Sequence, residues 1–300
     1  MTRGRTRRGN DLDEATIRLL IFLGILLGMA AFEVLAPRRA LRFGRQKRWV
    51  TNLAIVATDT LFLRVVFPAA AVGVAMWAAA SGYGLFALLN APVWLAAVLG
   101  FVLLDFAVWF EHWASHKIPL LWRIHKMHHA DPDFDVTTAL RFHPLEIIVS
   151  MLWKALIVVA FGIPVTAVLV FEVVLNGAAM FNHANVRLPA WLDRALRLVI
   201  VTPDMHRVHH SVVVRETDSN YGFNLSLWDR LFRTYTPQPE AGHDGMTIGL
   251  AEYQSDAPTG FAWCLALPFR KAVPRSAIAM DAGGGAPADA GSVKADREIA

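Results

Sequence analysis

The sequence predicts an all-α integral-membrane helical bundle of about four to five membrane segments, with a cytosolic helical cap that holds a histidine-rich dinuclear metal site. Hydrophobic residues make up 55% of the 300 residues and charged residues only 18%, whereas a soluble domain has about 25% charged residues. Apolar runs long enough to cross a bilayer recur along the chain. Nine of the eleven histidines fall into a few tight groups at the ends of these runs.

The N-terminal segment, residues 1–15, is basic, and we expect it to be retained. Acidic residues separate its arginines from the first apolar run, which ends at Pro37 without a clear small-residue cleavage site. The net charge of +4 predicts no nucleic-acid partner, because the arginines cluster beside apolar runs, where the positive-inside rule places them. The single cysteine, Cys264, excludes a disulfide framework and a cysteine-based zinc or iron–sulfur site.

The membrane segments are predicted from run length and from proline and glycine breaks. A short piece at 85–90 is interpreted as re-entrant or interfacial. The predicted segments are 16–36, 52–80 with a break at Pro68, 92–110, and a hairpin of 145–161 and 165–181 around Gly162-Ile163-Pro164. Whether 16–36 crosses fully stays open at this stage.

The basic loop 38–48 carries six positive charges and no acid, which predicts that it faces the cytoplasm. If the segments cross and return in order, every histidine group lies on that same side. Residues from about 185 to 270 are less apolar and are expected to form the cap. The chain therefore divides into a membrane domain at 16–272 and a tail at 273–300, for which composition predicts disorder.

The histidine groups follow a repeated spacing. Positions three and four apart share one face of a helix, and the motifs are one H-x-x-x-H and two H-x-x-H-H. In each triad the outer histidines face one metal, while the middle one points about 100° away and can reach a second. The nine candidate donors, four or five per ion, are His112, His116, His125, His128, His129, His183, His206, His209 and His210.

Other polar residues are assigned supporting roles. Asp105 lies two helical turns before His112 and could accept the spare ring N–H of a ligating histidine. His143 precedes Pro144 at a predicted helix start, so we favour a role beside the ligands or a structural role over ligation. His243 lies in a polar, Pro/Gly-rich stretch and is expected to be solvated.

Four charged residues lie inside apolar runs, and structural pairing is the expected role for them. Asp59 and Arg64 are five residues apart and could pair, Lys154 could snorkel, and Glu172 should have a partner.

Ligand type alone does not select the metal, because imidazole suits zinc, copper, iron and nickel. A zinc hydrolase needs about three protein ligands and a water, so nine histidines favour a dinuclear site. Interfacial histidines that contact lipid headgroups would not require the repeated spacing. A membrane metal carrier, a bis-histidine haem protein and a zinc-dependent membrane hydrolase remain alternatives. A site at the membrane surface indicates a substrate that lives in the bilayer.

The order of the motifs resembles the fatty acid hydroxylase/sterol desaturase superfamily of membrane di-iron oxygenases, and within it the bacterial sterol-desaturase-like branch. The resemblance covers roughly residues 95–240, about half of the chain. The motifs are H-W-A-S-H (112–116), L-W-R-I-H-K-M-H-H (121–129), R-F-H-P-L-E (141–146), F-N-H-A-N-V-R (181–187), T-P-D-M-H-R-V-H-H (202–210) and N-Y-G-F-N-L-S-L-W-D-R-L-F (220–232).

The resemblance implies an all-helical membrane fold with a cytosolic site of two non-haem iron ions ligated by the nine histidines. It implies reductive activation of O2 and hydrogen abstraction from an unactivated C–H bond, giving an alcohol or an alkene. Asn185, Asp204 and Asn220 lie in matching motifs, and we assign them roles beside the ligands or structural roles. The chain has no H-P-G-G signature of a fused cytochrome b5, so electrons are expected from a separate donor. The expected location is the bacterial inner membrane, and the lipid substrate, the choice between hydroxylation and desaturation, and the oligomeric state stay open.

Overall fold

The computed structural model describes residues 14–270. Over this range the chain is helical, and its only β contacts are three isolated bridges, Pro37–Val186, Ile200–Leu225 and Ser211–Ile248. The all-α prediction is therefore confirmed. The N-terminal segment up to residue 13 and the tail at 273–300, for which we predicted disorder, lie outside the described residues.

The first eight helices form the membrane part and carry the first two histidine motifs. They are α1 (Glu14–Leu35), α2 (Arg45–Val66), α3 (Ala70–Ser81), α4 (Leu85–Leu88), α5 (Val93–Lys117), α6 (Pro119–His129), α7 (Pro144–Phe161) and α8 (Val165–Asn182). Six short helices and three 3-10 turns complete the described chain. The short helices are α9 (Ala190–Leu196), α10 (Pro203–His209), α11 (Val214–Thr217), α12 (Leu227–Leu231), α13 (Gly242–Gly245) and α14 (Phe261–Ala266), and the 3-10 turns are Val136–Leu140, Ala257–Thr259 and Leu267–Phe269.

Five helical stretches are long and apolar enough to cross a membrane, so the chain is an integral membrane protein. The first of them, Thr16–Leu35, has a mean hydropathy of 2.2, which supports a full crossing by α1. The five stretches are Thr16–Leu35, Arg45–Leu88, Val93–Lys117, Pro144–Phe161 and Val165–Asn182.

The long helices run so that all histidine groups lie at one end of the bundle. Pro37, just after α1, pairs with Val186, just after α8. The start of α2 lies at the same end, because Arg48 binds Asp131 directly after α6. At the opposite end, the turn before α4 meets the turn after α7. A Cβ on Gly84 would lie 2.1 Å from the amide nitrogen of Gly162, so this close approach requires glycine.

The two predicted pairings inside the membrane part have different outcomes. Glu172 pairs with Arg18 of α1, which confirms that it has a partner. The expected pairing of Asp59 with Arg64 is wrong. Five residues along a helix turn by about 140°, so Asp59 points into the bundle, where it is buried, while Arg64 is exposed.

Candidate metal centre

The structure brings all nine motif histidines into one buried cluster, in which they form two groups. Within each group, one candidate ligand atom from every histidine lies within 4.8 Å of the others. We call the first the five-histidine group; its members are His112, His116, His125, His129 and His209. We call the second the four-histidine group; its members are His128, His183, His206 and His210.

Helical spacing explains how the triads divide. In α6 the outer pair His125 and His129 enters the five-histidine group, while His128 between them faces the other group. The second triad divides in the opposite sense, because His209 alone joins the five-histidine group. Both helices begin with proline at their first position, which presets the backbone for a sharp helix start. The two groups are adjacent, and the rings of His129 and His210 stack at 4.6 Å between centroids.

The distances between ring nitrogens suit metal coordination. The Nε2 atoms of His112 and His209 lie 3.0 Å apart. The Nε2 atom of His183 lies 3.1 Å from the Nε2 atoms of both His128 and His206. Metal–imidazole bonds of about 2.1 Å at right angles would separate two nitrogens by about 3.0 Å.

The hydrogen bonds on the other side of the rings decide which nitrogens carry protons. His112 Nδ1 lies 2.6 Å from the carbonyl oxygen of Tyr221, and His209 Nδ1 lies 2.6 Å from that of Ser219. A carbonyl oxygen only accepts, so each Nδ1 must donate, and the facing Nε2 atom of a neutral ring carries a lone pair. Two lone pairs at 3.0 Å repel each other unless a cation lies between them. The residues present therefore fit a bound metal ion.

Burial keeps the rings in the neutral form that binds metal. Burial and the neighbouring imidazoles hold the pKa of His209 well below its usual value, and burial lowers the pKa of His183 to about 3. The same causes, burial first, lower the pKa values of His128, His129, His206 and His210. Because these rings resist protonation, a shared proton does not explain the short nitrogen–nitrogen distances. A bound metal ion explains them better.

Two carboxylates hold histidines of the five-histidine group, and neither was predicted from the sequence. Glu146 Oε1 lies 2.5 Å from His125 Nδ1, and Asp218 Oδ1 lies 3.3 Å from His116 Nδ1. Carboxylates in this position orient a ligating ring and raise its basicity. A signal for Glu146 existed, since it is an acid in the first turn of a membrane helix within the R-F-H-P-L-E motif. The backbone carbonyls that accept from the other rings cannot be predicted from residue types, because every residue has a carbonyl group.

A buried ion-pair network fixes the loop that follows α6. Arg48 of α2 donates two bonds to Asp131, at 2.7 and 2.8 Å, and one to Asp135 at 2.5 Å. Burial raises the pKa of Asp131, but the charge of Arg48 outweighs this and brings it down to about 2. Arg141 donates to the carbonyl of Met127, within the last turn of α6. These bonds hold the helix that carries the first triad against α2.

The expected contact of Asp105 with a ligating histidine is wrong. Its carboxylate accepts a hydrogen bond of 2.8 Å from the indole of Trp228. Asp105 and His112 are seven residues, or nearly two turns, apart, so they share a helix face at different depths. The hydrogen-bond partner of Asp105 therefore comes from the cap helix α12 and not from a histidine.

The two histidines that lie outside both groups, His143 and His243, have structural partners. His143 caps α7 by accepting from the amide of Leu145 at 3.1 Å, and its Nε2 lies 3.2 Å from the carbonyl of Leu265. These contacts agree with the structural alternative considered for it. His243 was expected to be solvated, and this is wrong, since only 5% of it is exposed. The cap folds over it and brings it within 3.6 Å of Asp204.

The three remaining motif residues hold the polypeptide around the histidines. Asn185 accepts from the amide of Arg39 and donates to its carbonyl, which ties the end of α8 to the basic loop. Asp204 pairs with Arg38 and Arg207. Asn220, whose φ is +53°, donates to the carbonyl of Met205, directly before His206. Each thus orders a segment next to a histidine.

A cavity of about 420 Å³ adjoins the five-histidine group, and His112 and His125 form part of its wall. Apolar side chains make up much of the lining, among them Phe142 and Phe223. The ring of Phe142 stacks on His128 at 4.5 Å, and that of Phe223 lies 4.9 Å from His112. The cavity extends between α1, α2, α5, α7 and α8, within the membrane part.

Comparisons with known proteins agree with this picture. Residues 97–234 match the model of the family described as fatty acid hydroxylase. An ornithine lipid hydroxylase of Rhizobium tropici is 31% identical over 182 residues, which are 60% of this chain and 52% of the relative. The alkylglycerol monooxygenase of Homo sapiens is 30% identical over 161 residues, 51% of this chain and 33% of the relative. A fatty acid hydroxylase of Lecanicillium sp is 28% identical over 172 residues, 47% of this chain and 42% of the relative.

The family match at 97–234 covers the histidine motifs, and the relatives are matched over only part of their length. The chain spans about half the length of the ornithine lipid hydroxylase and about a third of the alkylglycerol monooxygenase. No solved structure matches the chain.

Proposed function

We propose that the chain is an integral-membrane, O2-dependent di-iron hydroxylase of lipids and a member of the fatty acid hydroxylase/sterol desaturase superfamily, as its family match and its relatives support. The observation that carries the proposal is the pair of buried histidine groups at the end of apolar membrane helices. The relatives are named as hydroxylases or monooxygenases, which supports hydroxylation over desaturation. An ornithine lipid and an alkylglycerol both carry apolar chains, which supports a lipid as the substrate class.

Each histidine group would hold one iron ion. Reduced by electrons from a separate donor, the irons would supply the activation of O2 that allows an unactivated C–H bond to be oxidised. The neutral imidazoles do not cancel the charge of two divalent ions, so the carboxylates of Glu146 and Asp218, each bonded to a ligating ring, would offset part of it. The backbone carbonyls that accept from Nδ1 keep the Nε2 lone pairs directed at the metals.

The cavity would bring the substrate to the irons. His112 and His125 belong to the five-histidine group and also line the cavity, so a carbon atom at that end lies beside the metals. Phe142 and Phe223 cover the rings on this side and would exclude water from the reacting carbon. Since the cavity lies between membrane helices, a lipid could enter it without leaving the bilayer.

The arrangement of the rings favours this reading over the alternatives. A bis-histidine haem holds its two ligands on opposite faces of a macrocycle, whereas the rings of His183 and His206 lie 4.4 Å apart. A zinc hydrolase needs about three ligands and a water, fewer than either group offers. We propose the cytoplasm as the side of the metal site, because the six charges of the basic loop 38–48 lie at the same end of the bundle.

The test uses purified, iron-loaded protein with a chemical reductant, isotopically labelled O2 and a lipid extract. We expect about two irons per chain and a lipid product that has gained one labelled oxygen atom. His128→Ala should lower the bound iron and abolish turnover. His243→Gln, a matched change of a buried histidine outside both groups, should do neither. Unchanged turnover in His128→Ala, or product formation without O2, would contradict the proposal.

A further inference from the structure

One acid in the cavity has no hydrogen-bond or ion-pair partner among the residues that the structure describes. Asp59 of α2 lines the cavity and is only 6% exposed. Its buried Oδ1 atom has no hydrogen-bond partner, and its carboxylate forms no ion pair with any residue in the range 14–270. The other three carboxylates that line the cavity all have partners: Glu172 pairs with Arg18, Glu146 with His125, and Glu111 with Ser150.

The charges around the cavity leave Asp59 uncompensated. The lining contains four carboxylates and two cations, Arg18 and Lys154. Arg18 is paired with Glu172, and the charge of Lys154 acts on Glu111. Glu146, another carboxylate, acts on Asp59 with a like charge. A buried carboxylate without a partner is strongly destabilised, so this position favours a cationic hydrogen-bond donor from outside the protein.

We propose that Asp59 binds the ammonium group of the substrate, and that the substrate class is therefore lipids with an amine-bearing polar head. This inference rests on the proposed function, since it assigns a substrate feature to the same cavity. A carboxylate–ammonium contact is strong in a site that excludes water.

The position of Asp59 also places the amine relative to the metals. Asp59, His112 and His125 all line one cavity of about 420 Å³. Pockets for small ligands have volumes of about 300–1,000 Å³, so this one holds a headgroup and the adjoining carbons while the rest of each chain stays in the bilayer. The oxidised carbon is thus expected within or close to the polar head, rather than at the far end of an acyl chain.

The experiment compares two probes that share one chain and differ at the nitrogen: sphinganine, which carries an ammonium group, and N-acetylsphinganine, which carries a neutral amide. Binding to the iron-loaded protein in a nonionic detergent is measured without reductant, and turnover is then measured with it. We expect the parent protein to bind the amine at least about tenfold more tightly than the amide. Asp59→Asn should abolish this preference by weakening amine binding and raising its KM, with a smaller effect on kcat.

Two further variants make the result specific. Asp256→Asn removes a carboxylate whose side chain is 66% exposed and lies outside the cavity, and it should keep the preference. Asp59→Glu retains the charge and should keep part of the preference. The iron content of every variant reports whether the metal site has formed.

Three outcomes would overturn the inference. They are equal affinity of the parent protein for the two probes, equal weakening of both probes by Asp59→Asn, and tighter binding of the amide. Equal weakening would mean that Asp59 only balances the metal charge. The binding step needs neither O2 nor reductant, so it separates the two proposals. An amine preference without oxidation refutes only the hydroxylase, whereas oxidation of lipids regardless of the amine refutes only the role of Asp59.

Discussion

Replacement of Glu146 by glutamine tests whether this carboxylate supports a metal ligand. Glu146 Oε1 accepts from Nδ1 of His125 at 2.5 Å, which leaves the Nε2 lone pair directed at His129, whose Nε2 lies 3.2 Å away. Glutamine has nearly the same size and keeps an oxygen acceptor. It removes the negative charge that makes the imidazole a better donor to a metal.

The expected effect is confined to one of the two metals. Loss of such a partner lowers metal affinity by about 10–100-fold, which corresponds to about 1.4–2.7 kcal/mol. Because glutamine still accepts a hydrogen bond, we expect the lower end, about tenfold. His125 belongs only to the five-histidine group, so the four-histidine group should keep its affinity.

Competition with a chelator, followed by metal analysis, measures the two affinities separately. Asp105→Asn is the matched control, since Asp105 is a buried acid of the same bundle whose bond goes to Trp228 and not to a histidine. It should lower the unfolding temperature but leave both metal affinities unchanged. The reasoning fails if Glu146→Gln leaves both affinities at the parent value, or if Asp105→Asn weakens the metal equally.

Three further predictions concern stability and metal content. Arg48→Met leaves Asp131 buried without its cation and should cost about 3–5 kcal/mol of unfolding free energy, whereas Lys47→Met, at an exposed neighbour, should change little in the same denaturation assay. His206→Ala should remove about half of the bound metal by elemental analysis, because the five-histidine group keeps all its members; loss of all the metal would contradict two separate groups. Burial lowers the pKa of His243 from 6.5 to about 4, so the unfolded chain takes up a proton below pH 6.5 that the folded chain excludes, and stability is lost as pH falls towards 4. Melting curves from about pH 7 to about pH 5 should show a smaller loss for His243→Gln, and identical losses would refute this assignment.

The membrane helices were predicted well because their lengths follow from local composition. The predicted runs 145–161 and 165–181 correspond to α7 (Pro144–Phe161) and α8 (Val165–Asn182). The predicted break at Pro68 separates α2 from α3. The third run was predicted to end at residue 110, but α5 continues to Lys117. The last two turns of α5 carry His112 and His116 into the cap. The apolar run ends where polar residues begin, but the helix continues.

The grouping of the histidines was also predictable, since residues four apart on a helix share a face. His125 and His129 lie together and His128 faces the other group, as the spacing indicates. The partners of these rings were not predictable. Asp105 had the right spacing for a histidine contact, yet Trp228 of the cap reaches it first. The buried state of His243 likewise depends on how the cap folds over it.

The sequence by itself determined the membrane helices and the order and facing of the histidines, because bilayer thickness and the helical repeat act on neighbouring residues. Only the tertiary structure decided which side chains complete the site. Glu146 meets His125 because α7 enters the bundle beside α6, and Asp218 meets His116 across about a hundred residues of chain. Within residues 14–270, Asp59 has no partner because α2 directs it into the cavity and directs Arg64 away from it. Such pairings depend on the packing of helices that are distant in the chain, and local sequence patterns do not encode that packing.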